Sequence, residues 1–234
     1  MSRKDLPAPE EKSDFVRSMF DSIAHRYDLV NRLITLGLDR RWRQRAVTNL
    51  GLARGSLVLD IGCGTGDLTR EASSAELICF GIDLSYEMLV AARGIHAPLI
   101  EADAEALPIA RSSIDGVISG FALRNFTDPS KVFQEVARVL VPGGRFVILE
   151  VDRPTNPLLR FGHRIWFNKV VPMIGALFSV AAAYRYLPKS VAYLPDKAEL
   201  EAMLSASGFG DISYQHLQGG LAQIIVAVRE SGQQ

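Results

Sequence analysis

The chain has 234 residues, 48% apolar and 22% charged, a folded profile with enough mass for a buried core and too apolar for a disordered chain. Its 26 basic and 26 acidic side chains cancel to a formal net charge of zero, which argues against the basic footprint of a nucleic-acid binder. Two cysteines 16 residues apart, Cys63 and Cys79, supply neither a disulfide framework nor a CxxC zinc spacing.

In chain order, the N-terminal MSRKDLPAPEEKSDF has no apolar core and reads as no signal peptide. Helices are expected over residues 13–50, where Phe15, Met19 and Ile23, then Leu29, Leu33 and Ile34, then Trp42, Ala46 and Leu50 recur at helical spacing. From Ser56 short apolar runs alternate with amphipathic stretches. Strands are expected at 56–62, 76–83, 97–103, 114–121 and 145–151, with helices at 67–74, 86–93 and 130–140. Pro142-Gly143-Gly144 reads as a turn before the fifth strand. The alternation predicts an α/β fold, a mostly parallel sheet with helices on both faces. Residues 153–195 interrupt it with an apolar and basic stretch. Its longest uncharged run, Val170–Tyr184, has 15 residues broken by Pro172 and Gly175, short of the about 20 that a membrane span needs. Asp196 is placed to cap a helix over 197–206. Residues 211–217 and 222–228 flank Gln218-Gly219-Gly220-Leu221 as a hairpin, so the sheet is expected to end in an antiparallel strand pair. The expected divisions are a helical cap (1–50), an α/β core (51–152), a helical lid (153–195) and a closing helix and strand pair (196–234), in a cytoplasmic chain.

Charge follows these divisions. Residues 1–59 carry a net +4, residues 60–152 a net −7, residues 153–195 a net +6 and residues 196–234 a net −3. An acidic centre is flanked by two basic segments, one of them without a carboxylate over 43 residues.

The chemistry-bearing pattern in the acidic centre is Asp60-Ile61-Gly62-Cys63-Gly64-Thr65-Gly66-Asp67, which follows the first expected strand and opens a helix. Glycines here let the backbone approach a ligand, and the helix N-terminus offers free N–H groups. The spacing is GxGxG rather than the dinucleotide GxGxxG. Asp60 would repel a pyrophosphate but attract the ammonium of a sulfonium amino acid. Asp83 ends the second strand, where a carboxylate takes both hydroxyls of a ribose. Asp103 ends the third, within Ala102-Asp103-Ala104-Glu105, where a side chain meets an adenine edge. Cys63 reads as a small loop filler. A nicotinamide-dependent reductase on a related fold is the rival from another class, and the missing GxGxxG weighs against it.

These strand ends, in this order, resemble the class I S-adenosylmethionine-dependent methyltransferase fold, Rossmann-like with a seven-stranded sheet, over about residues 50–230. The resemblance implies S-adenosyl-L-methionine as methyl donor, held by Asp60, Gly62, Gly64, Thr65, Gly66, Asp83, Asp103 and Ala104, with no metal.

The fourth strand is followed by neither the [DN]PP[YF] motif of nucleic-acid amino-methyltransferases nor a Pro-Cys nucleophile, but by Phe121-Ala122-Leu123-Arg124-Asn125-Phe126. Further pieces are Phe20-x-x-Ile23-Ala24-x-x-Tyr27-Asp28-x-x-Asn31, Arg40-Arg41-Trp42-Arg43, Ala104-Glu105-Ala106-Leu107-Pro108, Arg138 with Pro142-Gly143-Gly144-Arg145, Ile148-Leu149-Glu150, Tyr184-x-Tyr186-Leu187-Pro188-x-Ser190 and Leu217-x-Gly219-Gly220. Together they resemble the menaquinone and ubiquinone C-methyltransferase family across nearly the whole chain. The resemblance implies methyl transfer to a ring carbon of a prenylated quinol. Demethylmenaquinol is the first choice because the compact chain resembles the menaquinone-only members. The benzoquinol of ubiquinone biosynthesis, or another lipid or phenolic small molecule, is the alternative. The chain departs from the family at Thr35, Asp39, Gly120, Val141 and Val151-Asp152.

A quinol ring carbon becomes nucleophilic when a neighbouring hydroxyl loses its proton, and aligning it with the donor methyl lowers the barrier by several kcal/mol. Arg124 is the candidate to stabilise the phenolate, with Asn125 as its hydrogen-bonding neighbour. The plainer reading of Arg124 is a salt bridge closing the loop. Tyr27 and Asp28 are candidates to reach over the site from the cap. His25 and His163 are bases by residue type alone and are left unassigned. In residues 153–195, Arg153, Arg160, Arg164, Lys169, Arg185 and Lys189 lie among Phe161, Trp166, Phe167, Ile174, Leu177 and Phe178. That composition fits a lid that also contacts an anionic membrane peripherally, and Arg40, Arg41, Arg43 and Arg45 around Trp42 are candidates either to join that surface or simply to line an exposed helix face. The expected partners are a prenylated quinol and that membrane, with no nucleic acid; a homodimer is left open.

Overall fold

The computed structural model describes residues 9–152, 154, 160–162, 166, 170, 171, 173, 186 and 190–232. Helices α1 (Pro9–Ile23), α2 (Tyr27–Thr35) and α3 (Leu38–Leu50) come first, with a 3-10 turn at Ala24–Arg26. Strands β1 (Leu57–Ile61), β2 (Ile78–Asp83), β3 (Leu99–Glu101) and β4 (Ile114–Gly120) then alternate with α4 (Asp67–Ser74) and α5 (Tyr86–Ala91). Helix α6 (Pro129–Val139) leads into β5 (Leu140–Val151), and α7 (Lys197–Ala206), β6 (Phe209–Leu217) and β7 (Ala222–Arg229) close the described chain.

The seven strands form one sheet in the order β3-β2-β1-β4-β5-β7-β6, parallel except where β7 runs antiparallel to both β5 and β6. This is the class I methyltransferase arrangement expected from the sequence, including the closing antiparallel pair.

Alternation along the strands builds two apolar layers. Leu59 and Ile61 of β1 and Phe146 and Ile148 of β5 pack with Phe133 and Val136 of α6 and Leu200 and Leu204 of α7. Val58 of β1 and Val147 and Leu149 of β5 point the other way, against Trp42, Ala46 and Leu50 of α3 and Leu68 and Ala72 of α4. Helix α3, placed by the sequence with the cap, therefore packs on the sheet. The third cluster joins Val16, Met19 and Ile23 of α1 to Val30 and Ile34 of α2, with Val171 and Tyr186 from the segment after β5.

Local caps fix where the helices start. Asp128 accepts from the Ser130 and Lys131 N–H groups with Pro129 in the first turn of α6, Ser85 accepts from the Met88 N–H, and Asp196 accepts from the Glu199 N–H. One expected boundary shifts. Pro142-Gly143-Gly144 is not a turn ahead of β5 but lies inside it, because Leu140 already pairs with Ile114 and the register then slips before Gly116 meets Arg145. A β-bulge absorbs the extra residues, a break in pairing that hydrophobic alternation does not reveal.

Candidate active site

In the sheet, β1 lies between β2 and β4, so the crossovers leave it in opposite directions and a crevice opens beyond the carboxyl ends of the strands. The cleft there is lined by Gly62 and Gly64 of the loop after β1, Asp83 at the end of β2, Asp103 and Ala104 after β3, and Phe20, Tyr27 and Asn125 above them. Gly62 has φ +65°, and a Cβ on it would stand 2.7 Å from the Ala122 Cβ, so the close approach of this backbone requires glycine. The Gly64 N–H donates to Asp83 Oδ2 and the Ser85 N–H to Asp83 Oδ1, both at 2.8 Å, fixing the carboxylate at the cleft edge. Burial pushes the Asp83 carboxyl above its ordinary value, against the pull of those N–H groups. Asp103 Oδ1 accepts from the Glu105 N–H at 2.9 Å.

Three of the expected donor-binding residues stand behind this lining rather than in it. Thr65 donates its hydroxyl to Asp28 Oδ1 at 2.5 Å, tying the loop to the cap, and Gly66 caps α4 at φ +77°. Asp60 is wholly buried, with Oδ2 accepting from the Thr69 hydroxyl at 2.7 Å and Oδ1 left without a partner. An orphaned carboxylate oxygen beneath the loop suits a site that receives a cation. Gly62, Asp83 and Asp103 offer a backbone cradle, a hydroxyl acceptor and a base-edge group, so the residues present fit a sulfonium nucleoside.

Burial pushes the Asp60 carboxyl up to about 7 from 3.8. Above the unfolded value the unfolded chain gives up this proton while the folded chain keeps it. Stability from this group therefore falls from about pH 4 to about pH 7, by about 4 kcal/mol in all. In urea unfolding from pH 4 to 8, Asp60→Asn should lack that decline, so the stability difference between parent and variant should shift by it across this range; a difference constant with pH would place the group elsewhere.

A second cavity of about 370 Å³ adjoins the cleft. Ile34, Leu36, Leu38, Trp42, Trp166 and Leu221 make it apolar, and Asp39, Arg43 and Arg124 bring charge to its wall. Tyr27 and Phe121 line both spaces, so the two meet there. Phe121 holds φ +61°, a strained conformation for a bulky residue, with its N–H donating to Leu149 O at 2.7 Å. Its ring centroid lies 6.3 Å from that of Trp42 and 5.9 Å from the Arg43 guanidinium. Burial raises the Tyr27 phenol, keeping it protonated.

Arg124 lines this cavity and is also ion-paired with fully buried Glu150, whose Oε2 accepts from the Arg124 N–H at 3.4 Å; the Arg124 Nε donates to the Ser190 hydroxyl at 3.2 Å. The plainer sequence reading of Arg124, a salt bridge, is the one seen here, made by a side chain that also lines the cavity. Asn125 lines the cleft instead, and its Oδ1 accepts from the Tyr186 hydroxyl at 3.5 Å. Arg43, grouped by the sequence with exposed arginines, is buried and paired with Asp39 and with Asp67 at 3.3 Å. Burial acts to raise the Asp39 carboxyl, and Arg43 and the Thr35 hydroxyl outweigh it, holding it below its ordinary value.

Sequence reasoning missed Phe121, whose strained backbone leaves no mark on a non-glycine residue. It also missed Glu150 as the partner of Arg124 and the Asp39–Arg43 pair. Of the lid candidates, Arg153, Arg164, Lys169, Arg185, Lys189, Phe167, Ile174, Leu177 and Phe178, as well as His163, lie outside the described residues. Arg160 and Phe161 are exposed, and the Trp166 indole donates to Ile34 O at 3.0 Å. Among the described residues no helix is long and apolar enough to cross a membrane, and no three His, Cys, Asp or Glu side chains cluster to hold a metal.

The model of the ubiE/COQ5 methyltransferase family matches residues 8–229. The ubiquinone/menaquinone biosynthesis C-methyltransferase UbiE of Syntrophotalea carbinolica is 42% identical over 223 residues, covering 91% of this chain and 93% of that protein. The demethylmenaquinone methyltransferase of Thermus thermophilus is 42% identical over 223 residues, covering 90% of this chain and all of the relative, 100%. Among solved structures, phosphoethanolamine N-methyltransferase 2 of Haemonchus contortus superposes with a TM-score of 0.66 at 18% identity, covering 92% of this chain and 60% of that one. An S-adenosylmethionine-dependent methyltransferase of Aquifex aeolicus gives 0.56 at 15% identity, covering 80% and 88%. At those identities the likeness is one of fold.

Proposed function

Because the chain belongs to the ubiE/COQ5 methyltransferase family, we propose that it transfers a methyl group from S-adenosylmethionine to a ring carbon of a prenylated quinol, and that this quinol is demethylmenaquinol. One observation supports the reading above the others: a cleft edged by Asp83 and Asp103 and suited to a sulfonium nucleoside opens at Tyr27 and Phe121 onto an apolar cavity of about 370 Å³ suited to a quinol. S-adenosylmethionine supplies an electrophilic methyl. The protein's own residues align and activate the acceptor.

In this reading Asp83 takes the ribose hydroxyls, Asp103 and Ala104 meet the base, and the Gly62–Gly66 loop receives the amino-acid end with the Asp60 carboxyl beneath it. Asp28 holds that loop through Thr65, so its part is positioning. Tyr27 and Phe121 set the angle between donor and ring, and Asn125 sits on the cleft side of the junction. Arg124 stands in the cavity wall with two of its N–H groups engaged by Glu150 and Ser190. Its remaining guanidinium N–H groups have no hydrogen-bond partner among the described residues and can donate to a quinol oxygen as its proton leaves. Pairing with Glu150 holds the guanidinium still at the outset of the reaction, which is the advantage of a preorganised donor.

The relatives' names cover both menaquinone and ubiquinone biosynthesis, so a benzoquinol acceptor is the second reading. A quinone profile separates the two. In a host lacking its own quinol C-methyltransferase, the gene should convert accumulated demethylmenaquinone to menaquinone by mass spectrometry. Restoration of ubiquinone alone would select the benzoquinol, and restoration of neither would overturn the proposal.

A further inference from the structure

The face of α2 turned away from the cap core carries exposed leucines. Leu29, Leu33 and Leu36 are 52%, 41% and 72% exposed. At about 100° per residue they fall within about 60° of one another, one stripe along the helix. The adjoining side, Val30 and Ile34, is buried in the cluster with Val16, Met19 and Ile23 of α1. Exposed arginines border the stripe: Arg26 just before the helix, Arg32 beside it, and Arg40 and Arg41 where α3 begins.

Carboxylates are sparse in this stretch of chain. Between residues 22 and 66 the only acids are Asp28, Asp39 and Asp60. Each is engaged inward: Asp28 with Thr65, Asp39 with Thr35 and Arg43, and Asp60 with Thr69. From the neighbouring element, Glu71 of α4 reaches Arg40 at 3.7 Å. The stripe ends at the apolar cavity. Leu36 lines that cavity and is the most exposed of the three leucines, held outward by a left-handed turn at Leu36 and Gly37 with φ 53° and 74°.

We propose that this α2 face docks on an anionic lipid bilayer, with Leu29, Leu33 and Leu36 in the interface, the arginines on the headgroups, and the cavity mouth at Leu36 opening toward the lipid. An amphipathic surface of leucines bordered by arginines binds in this way through buried apolar area and attraction to anionic lipid. The docking face is thus α2 and the α2–α3 turn, a different part of the chain from residues 153–195. The inference rests on the proposed quinol acceptor only for its account of why the mouth faces the bilayer.

The test uses the full chain, vesicles of phosphatidylcholine with and without phosphatidylglycerol, and two quinols, one short-tailed and water-soluble, one long-tailed and carried in the vesicles. The wild type should co-sediment with the anionic vesicles and less with neutral ones. Leu29→Glu/Leu33→Glu should bind anionic vesicles at least tenfold more weakly, methylate the soluble quinol at the wild-type rate and lose turnover on the vesicle-borne quinol. Arg32→Glu/Arg41→Glu should abolish the preference for anionic lipid. Far-ultraviolet circular dichroism and S-adenosylhomocysteine binding, unchanged in both variants, exclude unfolding. Undiminished vesicle binding by the leucine variant would overturn the proposal. So would a wild type indifferent to anionic lipid, or a self-associating wild type whose dimer the leucine variant dissolves while vesicles go unbound. A wild type that binds vesicles but leaves both quinols unmethylated would instead refute the quinol reading and support the docking face.

Discussion

Replacing Arg124 by alanine should lower stability by about 3–5 kcal/mol and abolish methyl transfer, whereas Arg124→Leu/Glu150→Gln should recover most of the stability and none of the activity. The single substitution leaves the Glu150 carboxylate, fully buried, with no countercharge. The double substitution removes both charges and leaves an amide oxygen to accept from the Val151 N–H, which donates to Glu150 Oε1 at 2.8 Å. Urea unfolding gives the stability side of this cycle and quinol turnover the chemical side. If Arg124 only closed the loop, the double variant would recover turnover together with stability. If Arg124 also donates to the quinol oxygen, turnover stays lost in a well-folded protein.

Asp83→Ala should weaken S-adenosylmethionine binding by about 100- to 1000-fold, because charged hydrogen bonds of about 1.5–3 kcal/mol each are lost together. The carboxylate would accept the ribose hydroxyls, and it already holds the Gly64 and Ser85 N–H groups at 2.8 Å, so its removal both strips the acceptors and loosens the glycine loop. Asp83→Asn keeps one acceptor oxygen and should cost about tenfold. Titration calorimetry with S-adenosylhomocysteine checks both. A loss below threefold for the alanine variant would remove Asp83 from the donor site.

What the sequence made legible was local. Gly62, Gly64, Asp83 and Asp103 sit at strand ends because an alternating chain puts its functional loops there, and a strand-turn-helix unit can be recognised from a dozen residues. The structure differs where the deciding contact crosses the chain. Asp60 looked like a cleft residue because it precedes the glycine loop, yet its side chain turns to Thr69, one strand-to-helix turn later. Thr65 looked like a loop contact to ligand and instead meets Asp28, 37 residues away. Arg43 looked solvated in a run of arginines, and only the packing of α3 on α4 brings Asp67 to it. Glu150 follows Ile148 and Leu149 in an apolar strand, and a lone acid in such a run signals a buried partner, although nothing in the sequence says that the partner is Arg124. The strain at Phe121 arises where β4 ends against β5, and no residue type announces it.

The most direct measurement is methyl transfer by the purified chain from methyl-labelled S-adenosylmethionine to demethylmenaquinol and to the demethylated benzoquinol, offered separately. The predicted result is label on a ring carbon of the naphthoquinol, one methyl for each S-adenosylhomocysteine formed. Label on a quinol oxygen, label on the benzoquinol alone, or no label on either would contradict it.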